Sequence, residues 1–361
     1  MAEFTLFVIF FIASLEKKRS STILSMALKN MVVNSSLINA YQGSNMPLSN
    51  TELRYYDSNI LRLPSDKRTE YHAQVDRLIA ELKKSIKDQD EIKITKVVKA
   101  GSFAKFTILR KTHEDPVDVD VVFYISGKDV TQETLASLSE KIFNALVKLY
   151  PNKSVEDFQL QRKAATVTFV KSGLNVDVVP VIEDTDKVGY GWQFDIHEGT
   201  KLHTCAPCQI QFIRDRKNTD NDFRTLVRLA KKWRNHAGLT HLKSFTIELI
   251  MAYLLDKNGK DASIESRFKQ FLLYIAQTGL KEKIFFTENG NDIPEFSDPV
   301  VIIDPVCVTN NVASRLSETE RLEIVDAATE AWEIAHHASI EDDLAIWKEL
   351  FGPRLKVREE A

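Results

Sequence analysis

Gly101-Ser102-Phe103-Ala104-Lys105-Phe106-Thr107, then Asp118-Val119-Asp120, then Asp177 within the apolar stretch Leu174 to Ile182, together decide how this chain folds. Gly101-Ser102 follows an alternating apolar segment, Ile92 to Val98, that reads as a strand. Backbone N–H groups and a hydroxyl therefore sit at a strand end, where phosphate oxygens can be received. Asp118 and Asp120 stand two apart on the next strand-like segment, Asp118 to Ile125, so both carboxylates share one face. Anions held that close repel unless cations lie between them, and two Mg²⁺ about 4 Å apart are what an in-line phosphoryl displacement uses. Asp177, between Val176 and Val178, would be a costly buried ion without a cation or partner, and it completes a set of three carboxylates. Alone, Gly-Ser is a turn signal and Asp-x-Asp a solvated strand face. Their order in one continuous region points to metal-dependent nucleotidyl transfer.

Composition sets the outer bounds. With 361 residues and 43% hydrophobic content, the chain can form one large or two small domains. A net charge of −3 and a pI near 6.3 exclude a general basic field for long nucleic acid. Cys205, Cys208 and Cys307 are too few and too oddly counted for a disulfide framework, which suits a reducing cytoplasm. Phe4 to Leu15 is an apolar run of about a dozen residues, short of the roughly 20 that span a bilayer. Glu3 precedes it and Lys17-Lys18-Arg19 follow, the reverse of a secretory leader. No membrane association is expected. A membrane anchor stands as the alternative to an over-long start, with initiation at Met26, Met31 or Met46.

Asn34 to Asn50 is polar and reads as a linker or arm. Ser65 then opens a helix with Tyr71, Val75, Leu78, Ile79, Leu82 and Ile86 at helical spacing. A second helix spans Gln132 to Leu149, Ala164 to Phe169 alternates as a strand, and Leu174 to Ile182 continues the sheet. Helical patterns dominate from Pro207 onward: Gln209 to Arg216, Asp222 to His236, Ser244 to Asp256, Ile264 to Gln277, Glu318 to His336 and Ile340 to Leu350. The expected fold is α+β, a mixed sheet lobe followed by a helical lobe with the active cleft between them. Its divisions are an N-terminal extension and arm over residues 1–64, a catalytic lobe over 65–200 and a helical lobe over 201–361.

The ordered motifs resemble the polymerase-β-type nucleotidyltransferase superfamily. Leu226 to Arg234, Lys243 to Leu249 and Ile303 to Val312 narrow the likeness to the cyclic GMP-AMP synthase and oligoadenylate synthetase-like branch. Within that branch the chain is most similar to the bacterial, DncV-like CD-NTases of anti-phage CBASS systems, in particular clade C, from roughly Ser65 to Gly352. The resemblance implies ATP, and other nucleoside triphosphates, joined into a cyclic oligonucleotide messenger with release of pyrophosphate and without a nucleic-acid template. Linear oligoadenylate synthesis or RNA tailing is the alternative. Asp118, Asp120 and Asp177 would be catalytic and hold two Mg²⁺ or Mn²⁺, while Gly101 and Ser102 hold the triphosphate. Lys231 and Ser244 would reach the β- and γ-phosphates, and Phe245 would stack on a nucleobase. A HORMA-domain regulator and an AAA+ remodeller are the implied partners. The chain departs from the family at Phe106, where glycine is usual, so the backbone after the phosphate loop is expected to run differently and Lys105 and Thr107 are not carried over as contacts.

His203-Thr204-Cys205-Ala206-Pro207-Cys208 offers three zinc ligands, with His236, His241 or Cys307 as a distant fourth. Only one ligand knuckle is present, so the preferred reading is a helix start at Thr204 and Pro207 with the cysteines packed as small hydrophobes. Asp304-Pro305 and Asn310-Asn311 read as turn chemistry that fixes the loop before the last helices, a loop that the family resemblance makes a scaffold element.

Overall fold

The computed structural model describes residues 48–87, 92–110, 116–127 and 131–358. The apolar run, the alternative starts and nearly all of the polar arm lie outside them. Where the arm was expected to end, Ser49 caps a short helix α1 (Asn50–Tyr56) by accepting from the Glu52 N–H, and one π-helical turn follows at Asp57–Leu61. Helix α2 (Ser65–Lys87) leads into β1 (Lys93–Lys99), the five-residue helix α3 (Gly101–Lys105) and β2 (Val117–Ser126). Then come α4 (Gln132–Leu149), β3 (Phe158–Leu160), β4 (Ala165–Phe169), β5 (Leu174–Glu183), β6 (Gly191–Asp195) and β7 (Thr200–Thr204).

These strands form one sheet, ordered β1-β2-β5-β4-β3, with β6 on the far end of β5 and β7 on β6. Every pairing is antiparallel except β2 with β5, whose parallel register sets Asp118 beside Asn175 and Asp120 beside Asp177. Strand alternation then separates two faces. Val119, Val121, Phe123, Val176 and Val178 turn to a core shared with Val75, Leu78 and Leu82 of α2 and Leu135, Ile142 and Leu146 of α4. Asp118, Asp120 and Asp177 lie on the opposite face, with Val122, Tyr124, Val179 and Val181 further along it.

The helical lobe contains α5 (Ala206–Thr219), α6 (Phe223–His236), α7 (Ser244–Asn258) and α8 (Ile264–Thr278). A small hairpin follows, β8 (Ile303–Asp304) with β9 (Cys307–Asn311), and then α9 (Glu318–Glu341) and α10 (Leu344–Phe351). Its core also takes in Leu48, Leu53, Tyr56 and Leu61, so the segment before α2 packs with the C-terminal lobe. Asp57 makes the buried tie, accepting from Arg228 of α6 at Nε (2.5 Å) and at the terminal amine (2.7 Å).

The structure corrects the cysteine expectation. Cys205 and Cys208 are joined by a disulfide, because positions three apart at a helix start lie on one face, here with 5.3 Å between Cα atoms. A bonded pair has no thiolate for zinc, and His203 Nε2 instead contacts Asp184 Oδ2 at 2.8 Å. Cys307 is free and buried, as a small hydrophobe would be.

Candidate active site

The sheet face carrying the three aspartates opens into a cavity of about 390 Å³ between the lobes. Gly101, Ser102, Asp118, Asp120, Asp177, Ser244 and Phe245 all line it. Gly101 is the closest fit. It has φ +59° at the first turn of α3, and a Cβ there would lie 1.7 Å from Asp120 Oδ2. Glycine is therefore required twice, for the left-handed backbone and for the carboxylate that occupies the space. The Ala100 N–H donates to the Asp120 carbonyl at 2.8 Å, which pins the loop against β2.

The carboxylates feel one another. Burial, and then the Asp120 charge, push the Asp177 carboxyl up to about 7, although Thr166 Oγ1 donates to its Oδ1 at 2.6 Å. Burial also raises Asp120, opposed by the Lys105 ammonium and reinforced by Asp118. Asp118 is the exposed member and accepts from Asn175 Nδ2 at 3.0 Å. Among the described residues, no three His, Cys, Asp or Glu side chains converge as a preformed metal cluster. The donor chemistry nevertheless fits Mg²⁺: three carboxylates line one cavity, and Asp120 and Asp177 are each disfavoured as ions by burial and by a neighbouring carboxylate, a penalty that a divalent cation removes.

Lys231 stands behind this wall. It is buried, and its ammonium donates to Glu248 Oε1 (2.7 Å), Thr107 Oγ1 (3.0 Å) and the Thr107 carbonyl (3.3 Å). Burial lowers its pKa to about 8. A direct phosphate contact by Lys231 would require these bonds to be exchanged. Lys105 is the ammonium that lines the cavity, 3.9 Å from the centre of the Phe245 ring. Sequence reasoning set Lys105 aside because of Phe106. The structure shows the reason for keeping it: Phe106 adopts the glycine-like conformation, φ 62° and ψ 31°, so the turn after α3 runs as a glycine would run it.

A phosphate-loop helix, paired carboxylates on parallel neighbouring strands and a helical lobe closing the cleft define a polymerase-β-type nucleotidyltransferase. Residues 49–216 match the Second Messenger Oligonucleotide or Dinucleotide Synthetase (SMODS) domain family. Over 316 residues the chain is 65% identical to a CBASS oligonucleotide cyclase CdnC of Escherichia coli strain KTE188, covering 88% of this chain and 100% of that one. It is 33% identical over 303 residues to a cyclic AMP-AMP-AMP synthase of E. coli strain MS 115-1, covering 81% of this chain and 93% of that protein. The solved structure of E. coli MS115-1 CdnC with ATP superposes with a TM-score of 0.73 at 31% identity, over 86% of this chain and 99% of the other. The CdnC:HORMA-deltaN complex from the same strain gives 0.72 at 30% identity, over 87% of this chain and 100% of that one. Vibrio cholerae DncV, 13% identical with a TM-score of 0.64 over 86% of this chain and 97% of that one, shares the fold. The chain belongs to the CD-NTase family of CBASS oligonucleotide cyclases, in the CdnC clade.

Proposed function

We propose that this enzyme joins ATP, alone or with a second nucleoside triphosphate, into a cyclic oligonucleotide and releases pyrophosphate at each bond. One observation carries the reading: Asp120 and Asp177 stand side by side on parallel strands while Gly101 packs against the Asp120 carboxylate. Asp118, Asp120 and Asp177 would hold two Mg²⁺. When bound, these ions neutralise phosphate charge and lower the pKa of the attacking hydroxyl.

The chain's own groups do the rest. The N–H groups at the start of α3 and the Ser102 hydroxyl receive triphosphate oxygens, Lys105 adds a cation from the cavity wall, and Ser244 supplies a hydroxyl from the first turn of α7. Phe245 offers its ring to a base. Thr166 fixes Asp177 through Oδ1, which leaves Oδ2 to accept the proton of a ribose hydroxyl. The deprotonated ribose oxygen attacks the α-phosphorus, the bond from that phosphorus to the oxygen bridging to the β-phosphate breaks, and pyrophosphate carries the electron pair away. A second cavity of about 270 Å³ shares Gln193, Thr204, Gln209 and Phe245 with the first and gives another nucleotide room.

An adenine-containing ring is the favoured product, in line with the cyclic AMP-AMP-AMP synthase relative. The CdnC:HORMA-deltaN complex of the MS115-1 relative supports a HORMA-domain partner, and an AAA+ remodeller rests on the sequence resemblance alone. No helix of the described residues is long and apolar enough to cross a membrane. Cytoplasmic residence is our reading, since the substrates are there. The test is incubation of the purified protein with each labelled nucleoside triphosphate and Mg²⁺, with and without its HORMA partner, followed by phosphatase. A phosphatase-resistant product supports a ring. A sensitive product establishes the linear alternative, and no product with any triphosphate under either condition refutes both.

A further inference from the structure

We propose that Glu248 is a positioning residue of the nucleotide cavity, which fixes the Lys105 ammonium at the cavity wall for a triphosphate. This rests on the nucleotidyl-transfer reading above. Glu248 is 1% exposed, on α7 among the buried residues Ile247, Leu249 and Ile250, where an unpaired ion would be strongly destabilising. Oε2 accepts from Lys105 Nζ at 2.9 Å, and Oε1 accepts from Thr107 Oγ1 at 2.5 Å and Lys231 Nζ at 2.7 Å. Both oxygens are engaged by donors more than a hundred residues apart in the chain, from the phosphate-loop side and from α6.

Such a carboxylate could simply join the lobes. Two observations point further. Lys105 lines the cavity together with Ser102 and Asp120. The triad of Lys105, Glu248 and Lys231 also carries one net positive charge, so Glu248 can line a polyphosphate site without making it repulsive. A free lysine loses rotamer freedom when it captures a phosphate. A lysine already held between Glu248 and the Phe245 ring has lost it on folding, and this favours binding.

The test is a double-mutant cycle on the full chain, Glu248→Gln crossed with Lys105→Met, read as ATP affinity by calorimetry with Mg²⁺ present and as melting temperature without ligand. Glu248→Gln is expected to weaken ATP binding about tenfold when Lys105 is present and by no more than about twofold when it is methionine. Glu248→Asp keeps the charge, is one methylene too short to reach all three donors, and runs the same cycle should Glu248→Gln fail to fold. Equal losses of ATP affinity in both backgrounds, or a lowered melting temperature with ATP affinity intact, overturn the proposal and leave Glu248 as a joint between lobes. A wild-type protein that binds no ATP overturns the reading of the cavity, and the role of Glu248 with it.

Discussion

Gly101→Ala separates the chemistry of the cavity from the stability of the fold. The added Cβ would begin 1.7 Å from Asp120 Oδ2 and 2.6 Å from its Cγ, whereas contacts of a Cβ atom under 3.0 Å are essentially never seen. The carboxylate oxygen must therefore move by at least about 1.3 Å, and the α3 backbone, pinned to the Asp120 carbonyl through Ala100, cannot readily move instead. A misplacement of about 1 Å at a reacting centre costs on the order of 100-fold in rate. The left-handed backbone adds about 1–2 kcal/mol of strain for alanine, partly offset by reduced freedom of the unfolded chain. In a protein of this size that corresponds to a melting temperature lower by no more than about 5 °C. Expected, then, is a loss of at least about 100-fold in pyrophosphate release at saturating ATP and Mg²⁺, with a cooperative melt close to wild type. Gly238→Ala is the control: it has the same sign of backbone strain, φ +70°, with nothing within 4 Å of its Cβ, and should keep full activity. Activity of Gly101→Ala within about threefold of wild type would falsify the claim that Gly101 is glycine because Asp120 needs the space.

Asp120→Asn should abolish product formation in the same assay and leave the fold intact, since it removes an ionic ligand while relieving like-charge repulsion; near-full turnover would rule out metal binding at this carboxylate. Asp177 has a folded pKa raised to about 7 from 3.8, so the stability tied to its bound proton is fully present below about 4 and is lost as pH rises through 7. Asp177→Asn should accordingly raise the melting temperature in EDTA more at pH 8 than at pH 5.5, with an upper bound of about 4 kcal/mol; a pH-independent difference contradicts this. Phe106→Gly should be more stable than Phe106→Ala by about 1 kcal/mol, because only glycine is relieved of the left-handed strain, and chemical denaturation decides it. Removal of residues 1–45 should leave a soluble, active enzyme, because the family match begins at residue 49 and Leu48 is the first described core residue. Activity lost along with membrane association on fractionation would vindicate the anchor alternative.

Much of the sheet lobe is legible in the sequence because the first halves of β2 and β5 alternate and their second halves are continuous apolar runs. Val119, Val121 and Phe123 announce the buried face of β2, so Asp118 and Asp120 had to share the other. Asp177 was found for the same reason, as an acid placed where only valines surround it. Gln132 to Leu149 was readable because its apolar positions repeat at helical spacing; the structure adds the cap, Thr131 accepting from the Thr134 N–H. β6 and β7 were not legible. Gly191 to Asp195 and Thr200 to Thr204 are short, the second is polar and partly exposed, and their strand character comes from pairing, β6 with the end of β5 and β7 with β6, which no local pattern encodes. The one signal for Glu248 was an acid inside an otherwise apolar helix. Its partners Lys105 and Thr107 lie more than a hundred residues away, so its role needed the fold.

The least legible feature is also what makes the phosphate loop a fixed object. Three consecutive residues at the end of α3 are tied to the helical lobe: Lys105 and Thr107 through Glu248, and the Phe106 carbonyl through Arg228, which donates at 2.5 Å. Arg228 in turn holds Asp57, so the segment before α2, the loop and α6 share one buried cation. This geometry needs the carbonyl of residue 106 turned toward α6, hence the left-handed backbone there, for which glycine is the natural residue. Phenylalanine is tolerated because its half-exposed ring is flanked by the Arg68 and Arg224 guanidinium groups, 4.0 and 5.0 Å from its centre. Cation–π contacts of about 0.5–1 kcal/mol each are of the same size as the strain they oppose. The substitution therefore preserves the course of the loop at nearly constant stability, and places an aromatic ring between two arginines where a glycine would leave a bare backbone.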